Sequence, residues 1–201
     1  MKVLAINASP RRDGNSSLLV EAAVLGAQKA GHNVTLLQLD DFVEEALRDC
    51  RSCRRADGSC SIPDDYERLL IEHMLPAQGL LLATPLYWYG MSGRLKTAFD
   101  RLFCYMSEGY ANSNTILDGL PGKRVGVLIA CEESYQGATL GLRAQFQELT
   151  RYPRRGNCQR SCNSPDVRGR LRLGLGLGGR GQHFAWMSVT TESFGGEWGQ
   201  G

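Results

Sequence analysis

Residues 2–17 read Lys2-Val3-Leu4-Ala5-Ile6-Asn7-Ala8-Ser9-Pro10-Arg11-Arg12-Asp13-Gly14-Asn15-Ser16-Ser17, and they decide the fold. The first six form a short apolar run suited to a buried strand. Ala8 to Ser17 is a polar, Gly-containing loop, after which Leu18, Leu19, Ala22, Ala23 and Leu25 recur at helical spacing until Gly31. Asn15 or Ser16 is the expected N-cap. A strand that feeds such a loop into a helix start builds an anion site, because unpaired N–H groups and the positive end of the helix dipole converge there. Ser9, Ser16 and Ser17 offer hydroxyls, Asn15 an amide, and Arg11 or Arg12 a guanidinium fork. The loop is neither Gly-x-Gly-x-x-Gly nor a Lys-bearing P-loop, which argues against a dinucleotide-type site and an NTPase. A plain helix cap with solvent-facing arginines remains the alternative at this point.

Outward from this stretch, Val34 to Leu39 reads as a second strand, and Tyr66, Leu69, Leu70, His73 and Met74 mark a helix face closed by Pro76. Gly79-Leu80-Leu81-Leu82-Ala83-Thr84 is an uninterrupted apolar run of the kind buried on both faces of a parallel sheet. Leu95, Ala98, Phe99, Leu102 and Phe103 give a further helix, Arg124 to Ala130 a further strand, and Leu142, Phe146 and Leu149 a last helix. Strands and helices alternate over residues 1–150, which implies right-handed crossovers and a doubly wound α/β sheet with helices on both faces.

The third strand delivers Pro85-Leu86-Tyr87-Trp88-Tyr89-Gly90-Met91. Ligands of open α/β sheets bind at the carboxyl edge, at the switch point beside strand one. Three adjacent aromatics cannot all face a core. A planar, π-rich ligand on this tight turn explains them, and an exposed turn or an oligomer contact is the rival reading.

Ser9-Pro10-Arg11 with Gly14-Asn15-Ser16-Ser17, Thr84-Pro85-Leu86-Tyr87-Trp88, and Leu95-Lys96 with Phe99-Asp100-Arg101 together resemble the NADPH-dependent FMN reductase family of flavodoxin-like proteins. The resemblance covers roughly residues 1–150 and implies a flavodoxin-like parallel sheet of strand order 2-1-3-4-5. It also implies non-covalent FMN, with phosphate on Ser9, Arg11, Asn15, Ser16 and Ser17 and the isoalloxazine over Pro85, Leu86, Tyr87, Trp88, Tyr89 and Gly90. NAD(P)H is then the co-substrate, a quinone, flavin or similar small molecule the acceptor, and a homodimer or homotetramer the expected assembly. Cys131-Glu132-Glu133-Ser134-Tyr135 is the expected third loop at the ring. Lys96, Asp100 and Arg101 read as an ion-pair and packing set rather than as catalysts. Because hydride transfer is the cofactor's own chemistry, no acid/base triad is expected, and His32, His73 and His183 are read as structural or solvated.

The chain of 201 residues, 42% hydrophobic and 22% charged, has the balance of one soluble domain with a real core. No residue run resembles a signal peptide or a membrane span, so a cytoplasmic protein without a nucleic-acid or membrane partner is expected. The net charge of +2 and pI near 8.2 count against a flavodoxin-type electron carrier, which is usually strongly acidic. Seven cysteines, odd in number and unevenly spaced, read as reduced thiols or ligands. Cys50-x2-Cys53-x6-Cys60 resembles the cysteine segment of iron-sulfur flavoproteins, except that Ala56 stands where those carry a fourth cysteine. Three thiolates fall short of a four-thiolate cluster, so no metal is assigned. Cys104 and Cys131 read as small core hydrophobes.

Residues 151–201 depart from this pattern, with eight Arg, no Lys and 11 of the 24 Gly. Where a fifth strand is due, Pro153 to Arg160 offers no apolar face. Leu171, Leu173, Leu175 and Leu177 alternate with Arg and Gly and suit only a weak edge strand. Residues 151–201 are therefore expected to be an atypical Arg/Gly-rich tail, a displaced reading frame or a diverged terminus from about residue 153, that leaves strand four exposed as an edge.

Overall fold

A computed structural model describes residues 1–48, 55–133, 135–158, 170–178 and 182–190. The elements run β1 (Lys2–Asn7), α1 (Asn15–Lys29), β2 (Asn33–Gln38), a 3-10 turn (Leu39–Asp41) and α2 (Tyr66–Arg68), which continues as a π-helical stretch (Leu69–Met74). There follow β3 (Gly79–Pro85), α3 (Gly93–Met106), α4 (Ser113–Gly119), β4 (Arg124–Cys131), a second 3-10 turn (Gln136–Thr139), α5 (Leu140–Cys158), β5 (Arg170–Gly178) and β6 (Gln182–Thr190). The sheet order is β2-β1-β3-β4-β6-β5. The first four strands are parallel, with Asn7 opposite both Gln38 and Ala83 and with Pro85 opposite Ala130. Their carboxyl ends therefore line up along one edge, and the chain leaves β1 and β3 side by side.

This is the doubly wound core that the alternation of strands and helices predicts, in the 2-1-3-4 order that the family resemblance implies, and the position beside β4 differs from expectation in one respect. It is filled by β6, which runs antiparallel to β4 and pairs in turn with β5 at the edge. After α5 the chain enters the outermost strand first and then doubles back, so the strand next to β4 must run in reverse. β4 is thus not an edge, whereas the Leu171–Leu177 segment does lie in an edge strand. Pro153 to Cys158 belongs to α5, which crosses the boundary expected at residue 150, and His183 falls in β6. Gln159 and Arg160 lie outside the described residues. At α1 the N-cap is Gly14 rather than Asn15 or Ser16. Its extended backbone lets its carbonyl accept from Ser17 and Leu18 at 3.0 and 3.1 Å, so Asn15 already sits in the first turn.

Period-two alternation sends successive strand residues to opposite sheet faces. Ala5, Ala83 and Leu128 pack with Val20 and Val24 of α1 on one face. Leu4, Ile6, Leu80, Leu82, Val127 and Ile129 face the other, against α3, α5 and the helix around Leu69 and Leu70.

The excursion between β2 and β3 is fixed to α3 by a charge pair. Arg101 Nη2 donates to Asp64 Oδ1 at 2.8 Å and Nη1 to Oδ2, with both side chains about 1% exposed. The guanidinium also lies 4.6 Å from the Tyr66 ring centre, a cation–π contact in a dry setting. Asp64 further accepts from the backbone N–H of Glu44 at 3.0 Å. Lys96 pairs with Asp100 one turn away, as its spacing predicts, but Arg101 finds its partner 37 residues distant. Nearby, Gly58 has φ +82°, and a Cβ there would stand 1.6 Å from the Gly109 carbonyl oxygen. Glycine is what lets this turn rest against the backbone after α3.

Burial alone would raise the Asp64 carboxyl, but the hydrogen bonds and charge of Arg101 and the Glu44 N–H overrule it and hold it below its usual value. A carboxyl lowered on folding stabilises above its unfolded pKa, and that contribution is lost as pH falls through the folded value. Asp64→Asn leaves a buried guanidinium without its counter-charge and is expected to cost about 3–5 kcal/mol. Urea unfolding at pH 7 reads the loss, and the gap between wild type and variant should close as the pH drops below the ordinary carboxylate range.

Candidate functional site

The loops after β1 and β3 meet at the carboxyl edge. Ala8 N–H donates to Ala83 O at 2.8 Å, and Ser92 Oγ donates to Ala8 O at 2.7 Å while its own N–H donates to Thr84 Oγ1 at 2.9 Å. Ser92 also caps α3, accepting from Leu95 N–H at 3.3 Å. One buried serine thereby joins both loops and a helix start.

Within the first loop, Ser9, Ser16 and Ser17 are buried, whereas Arg11 and Asn15 are exposed. Ser17 Oγ accepts from Asn7 Nδ2 at 2.8 Å and donates to Arg11 O at 3.1 Å. Its hydroxyl proton is committed to the loop's own backbone, so in this geometry Ser17 shapes the cradle. Ser9 is held from both sides, its N–H on Asn7 Oδ1 at 3.1 Å and its Oγ accepting from Arg11 N–H at 3.2 Å. Gln38 Nε2 donates to Ser9 O at 2.6 Å and ties the loop to β2. Among the described residues, no backbone acceptor takes the N–H of Asn15 or Ser16, the first two donors of α1. The arginines divide: Arg12 is bound to Asp41, and Arg11 has no acidic partner among the described residues.

The second loop is a two-residue turn. Tyr87 N–H donates to Gly90 O at 3.0 Å and Gly90 N–H to Tyr87 O at 2.9 Å, with Trp88 and Tyr89 at φ +49° and +62°. Positive φ at both central positions is the signature of a type I′ turn, whose usual occupants are Asn and Gly. Placing two aromatics there costs roughly 1–2 kcal/mol per residue, a strain that clusters at ligand sites. Trp88 is 97% exposed, Tyr87 47% and Tyr89 52%. Pro85, Leu86 and Gly90 are half-buried at the base. Leu86 N–H is taken by Ala130 O at 2.8 Å, so the turn's backbone donors not engaged among the described residues are those of Trp88 and Tyr89.

The last residue of the expected third loop joins this edge, and the start of α5 lies beside it. Tyr135, from the loop after β4, hydrogen-bonds Tyr89, and that bond, more than burial, raises its phenol. Arg143, one turn into α5, carries a buried Nε with no partner, and α5 reaches the aromatic turn at Gly141, where a Cβ would lie 4.0 Å from Tyr89 O. The approach of α5 to the aromatic turn was not recoverable from spacing, because nothing in the order of residues marks the start of α5 as adjacent to residue 89. Cys131, expected as a core residue, is only half-buried and donates to Glu133 O at 3.7 Å. Cys104 is buried as expected.

The family model for NADPH-dependent FMN reductases matches residues 1–157. The chain belongs to that family. An iron-sulfur flavoprotein of Methanocaldococcus jannaschii is 36% identical over 101 residues, 50% of this chain and 51% of that protein. YwqN of Bacillus subtilis, whose name assigns it provisionally to the NAD(P)H-dependent FMN-containing oxidoreductases, is 38% identical over 101 residues, 50% of this chain and 51% of that protein. The chain thus spans about half the length of the curated relatives it matches. Among solved structures, the NAD(P)H:quinone oxidoreductase from Methanothermobacter marburgensis is 24% identical with a TM-score of 0.53, covering 78% of this chain and 75% of that one. This likeness shows the shared fold.

The donor set of the first loop fits the phosphate of FMN: two N–H groups at a helix start, buried hydroxyls, and Arg11, which has no acidic partner among the described residues. The cysteine segment brings three thiols, one short of a four-thiolate set. Cys60 is buried, Ala56 is exposed, and Cys50 and Cys53 lie outside the described residues. Trp88→Asn replaces a solvated ring at a left-handed position with a residue that tolerates it, and is expected to raise stability by about 0.5–1 kcal/mol. A rise in the urea midpoint with unchanged slope shows it, while an unchanged or lower midpoint contradicts the reading of strain.

Proposed function

We propose that this chain is an FMN-dependent NAD(P)H oxidoreductase that delivers reducing equivalents to a quinone, a flavin or a similar small acceptor. The observation that carries the reading is the meeting of the two loops across Ala8–Ala83 and Ser92. FMN bound there supplies hydride acceptance from a nicotinamide and hydride delivery to the acceptor. The chain's part is to bind, orient and exclude. The Asn15 and Ser16 N–H groups, the hydroxyls of Ser9 and Ser16, and Arg11 hold a phosphoryl group, and Ser17 with Asn7 keeps the loop in shape. Pro85 to Gly90 forms the wall for the flat ring, with Trp88 and Tyr89 N–H as the donors for its polar edge. His32 follows α1, His73 packs its ring against Phe42, and His183 lies in β6 opposite Cys131.

Family membership supports an enzyme over an electron carrier, as does a pI near 8.2. Among the described residues, no helix is long and apolar enough to cross a membrane, and this agrees with a cytoplasmic site of action. A homodimer or homotetramer in which a second copy approaches the exposed Trp88 would finish the open side of the site.

Purified protein should bind FMN with flavin bands in its visible spectrum and oxidise NADPH with menadione as acceptor. Arg11→Ala is expected to weaken FMN at least about tenfold, some 1.4 kcal/mol, while leaving riboflavin affinity unchanged, since only the phosphate is addressed. An equal loss for both flavins, or none for either, would place the phosphate elsewhere. Failure to oxidise NADPH with flavin bound would favour the carrier.

A further inference from the structure

On the sheet face away from α1 lies a cavity of about 830 Å³ that none of the site residues lines. Its floor is Ile6, Leu80 and Leu82, its walls include Phe99 and Leu102 of α3 and Leu149 of α5, and Met74 and Met106 add adaptable surface. Phe99 and Phe146, both in its lining, meet edge to face with ring centres 5.9 Å apart. The volume falls in the range of small-molecule sites, and apolar side chains dominate the lining.

The polar groups along the wall are already committed inside the protein. Tyr66 Oη donates to Ala98 O at 2.6 Å, Ser107 Oγ to Cys104 O at 3.1 Å, and Thr150 Oγ1 to Phe146 O at 3.0 Å. Lys123 Nζ donates to Leu75 O and Ala77 O at 2.7 and 2.5 Å, and Asp100 pairs with Lys96 at 2.5 Å. A peptide segment inside would bury backbone N–H and C=O groups with few partners to meet them. Water gains little from such walls, which leaves their apolar surface without a matched occupant. Glu108 and Tyr152, both exposed, stand at the rim.

We propose that this cavity between α3, α5 and the sheet binds a neutral hydrocarbon chain of the prenyl or fatty-alcohol class, its one polar end at the rim beside Glu108 and Tyr152. The site is separate from the flavin edge and does not rest on it. The Glu108 carboxylate at the rim disfavours an anionic headgroup, and the committed polar lining leaves a hydroxyl at the mouth as the fitting terminus.

Full-length protein titrated with 1-aminoanthracene, a neutral dye that brightens in apolar surroundings, tests this. Saturable binding at one site per chain, displaced by farnesol or by 1-dodecanol and accompanied by a rise in Tm with added alcohol, is expected. Displacement by farnesol alone assigns a branched prenyl chain, and by 1-dodecanol alone a straight one. Ala98→Phe extends a ring into the cavity and should weaken dye binding at least tenfold with FMN affinity unchanged. If that variant fails to fold, Thr150→Phe at the α5 wall serves the same purpose. Dye uptake that is absent, unsaturable, or undiminished in a folded variant overturns the proposal, and absence is also the result if the protein's own chain fills the space.

Discussion

The parallel pairing of β1 with β3 is the constraint from which the rest of the structure follows. Because β2 lies on one side of β1 and β3 on the other, the chain departs in opposite directions from two neighbouring strand ends. A crevice opens where it parts. The Ala8–Ala83 hydrogen bond holds that parting point, and Ser92 locks it from the α3 side. Shift the register by one residue and Ala5 and Ala83, which let α1 approach closely, would exchange faces with Leu4 and Leu82.

The two loops do opposite kinds of work. The first is over-determined: Asn7, Gln38, Ser9 and Ser17 spend their side chains on its backbone, so its donors are fixed before any ligand arrives. The second is strained and uncovered, with aromatics held at left-handed backbone angles. Such an arrangement suits a site in which a rigid pocket binds the charge of the ligand and an exposed aromatic wall meets its flat face.

Much of this was legible in the residues, and the misses share a cause. The β1 loop and the β3 loop were readable because each couples a local pattern to a local chemistry, and alternating apolar periods placed four parallel strands in sequence. Arg101 is an ion-paired packing residue, as read, but its partner was not legible, because spacing reports neighbours along a helix and is silent about Asp64 across the core. The I′ turn was invisible because Trp88-Tyr89 lacks the Asn or Gly that usually announces one. The reversed strand beside β4 was unreadable for a similar reason: hairpin order is set by which edge the chain reaches first, and composition carries no record of it.

The grip of α3 on the segment between β2 and β3 has a mechanical corollary. Arg94 holds Asp40 and the Glu44 carbonyl near the beginning of the helix, and Arg101 holds Asp64 two turns later. A rod pinned at two points transmits displacement rather than absorbing it. Ser92, at the end of that rod, is also the serine that fastens the crevice, so one helix ties the Asp64 segment and the crevice to a single rigid support.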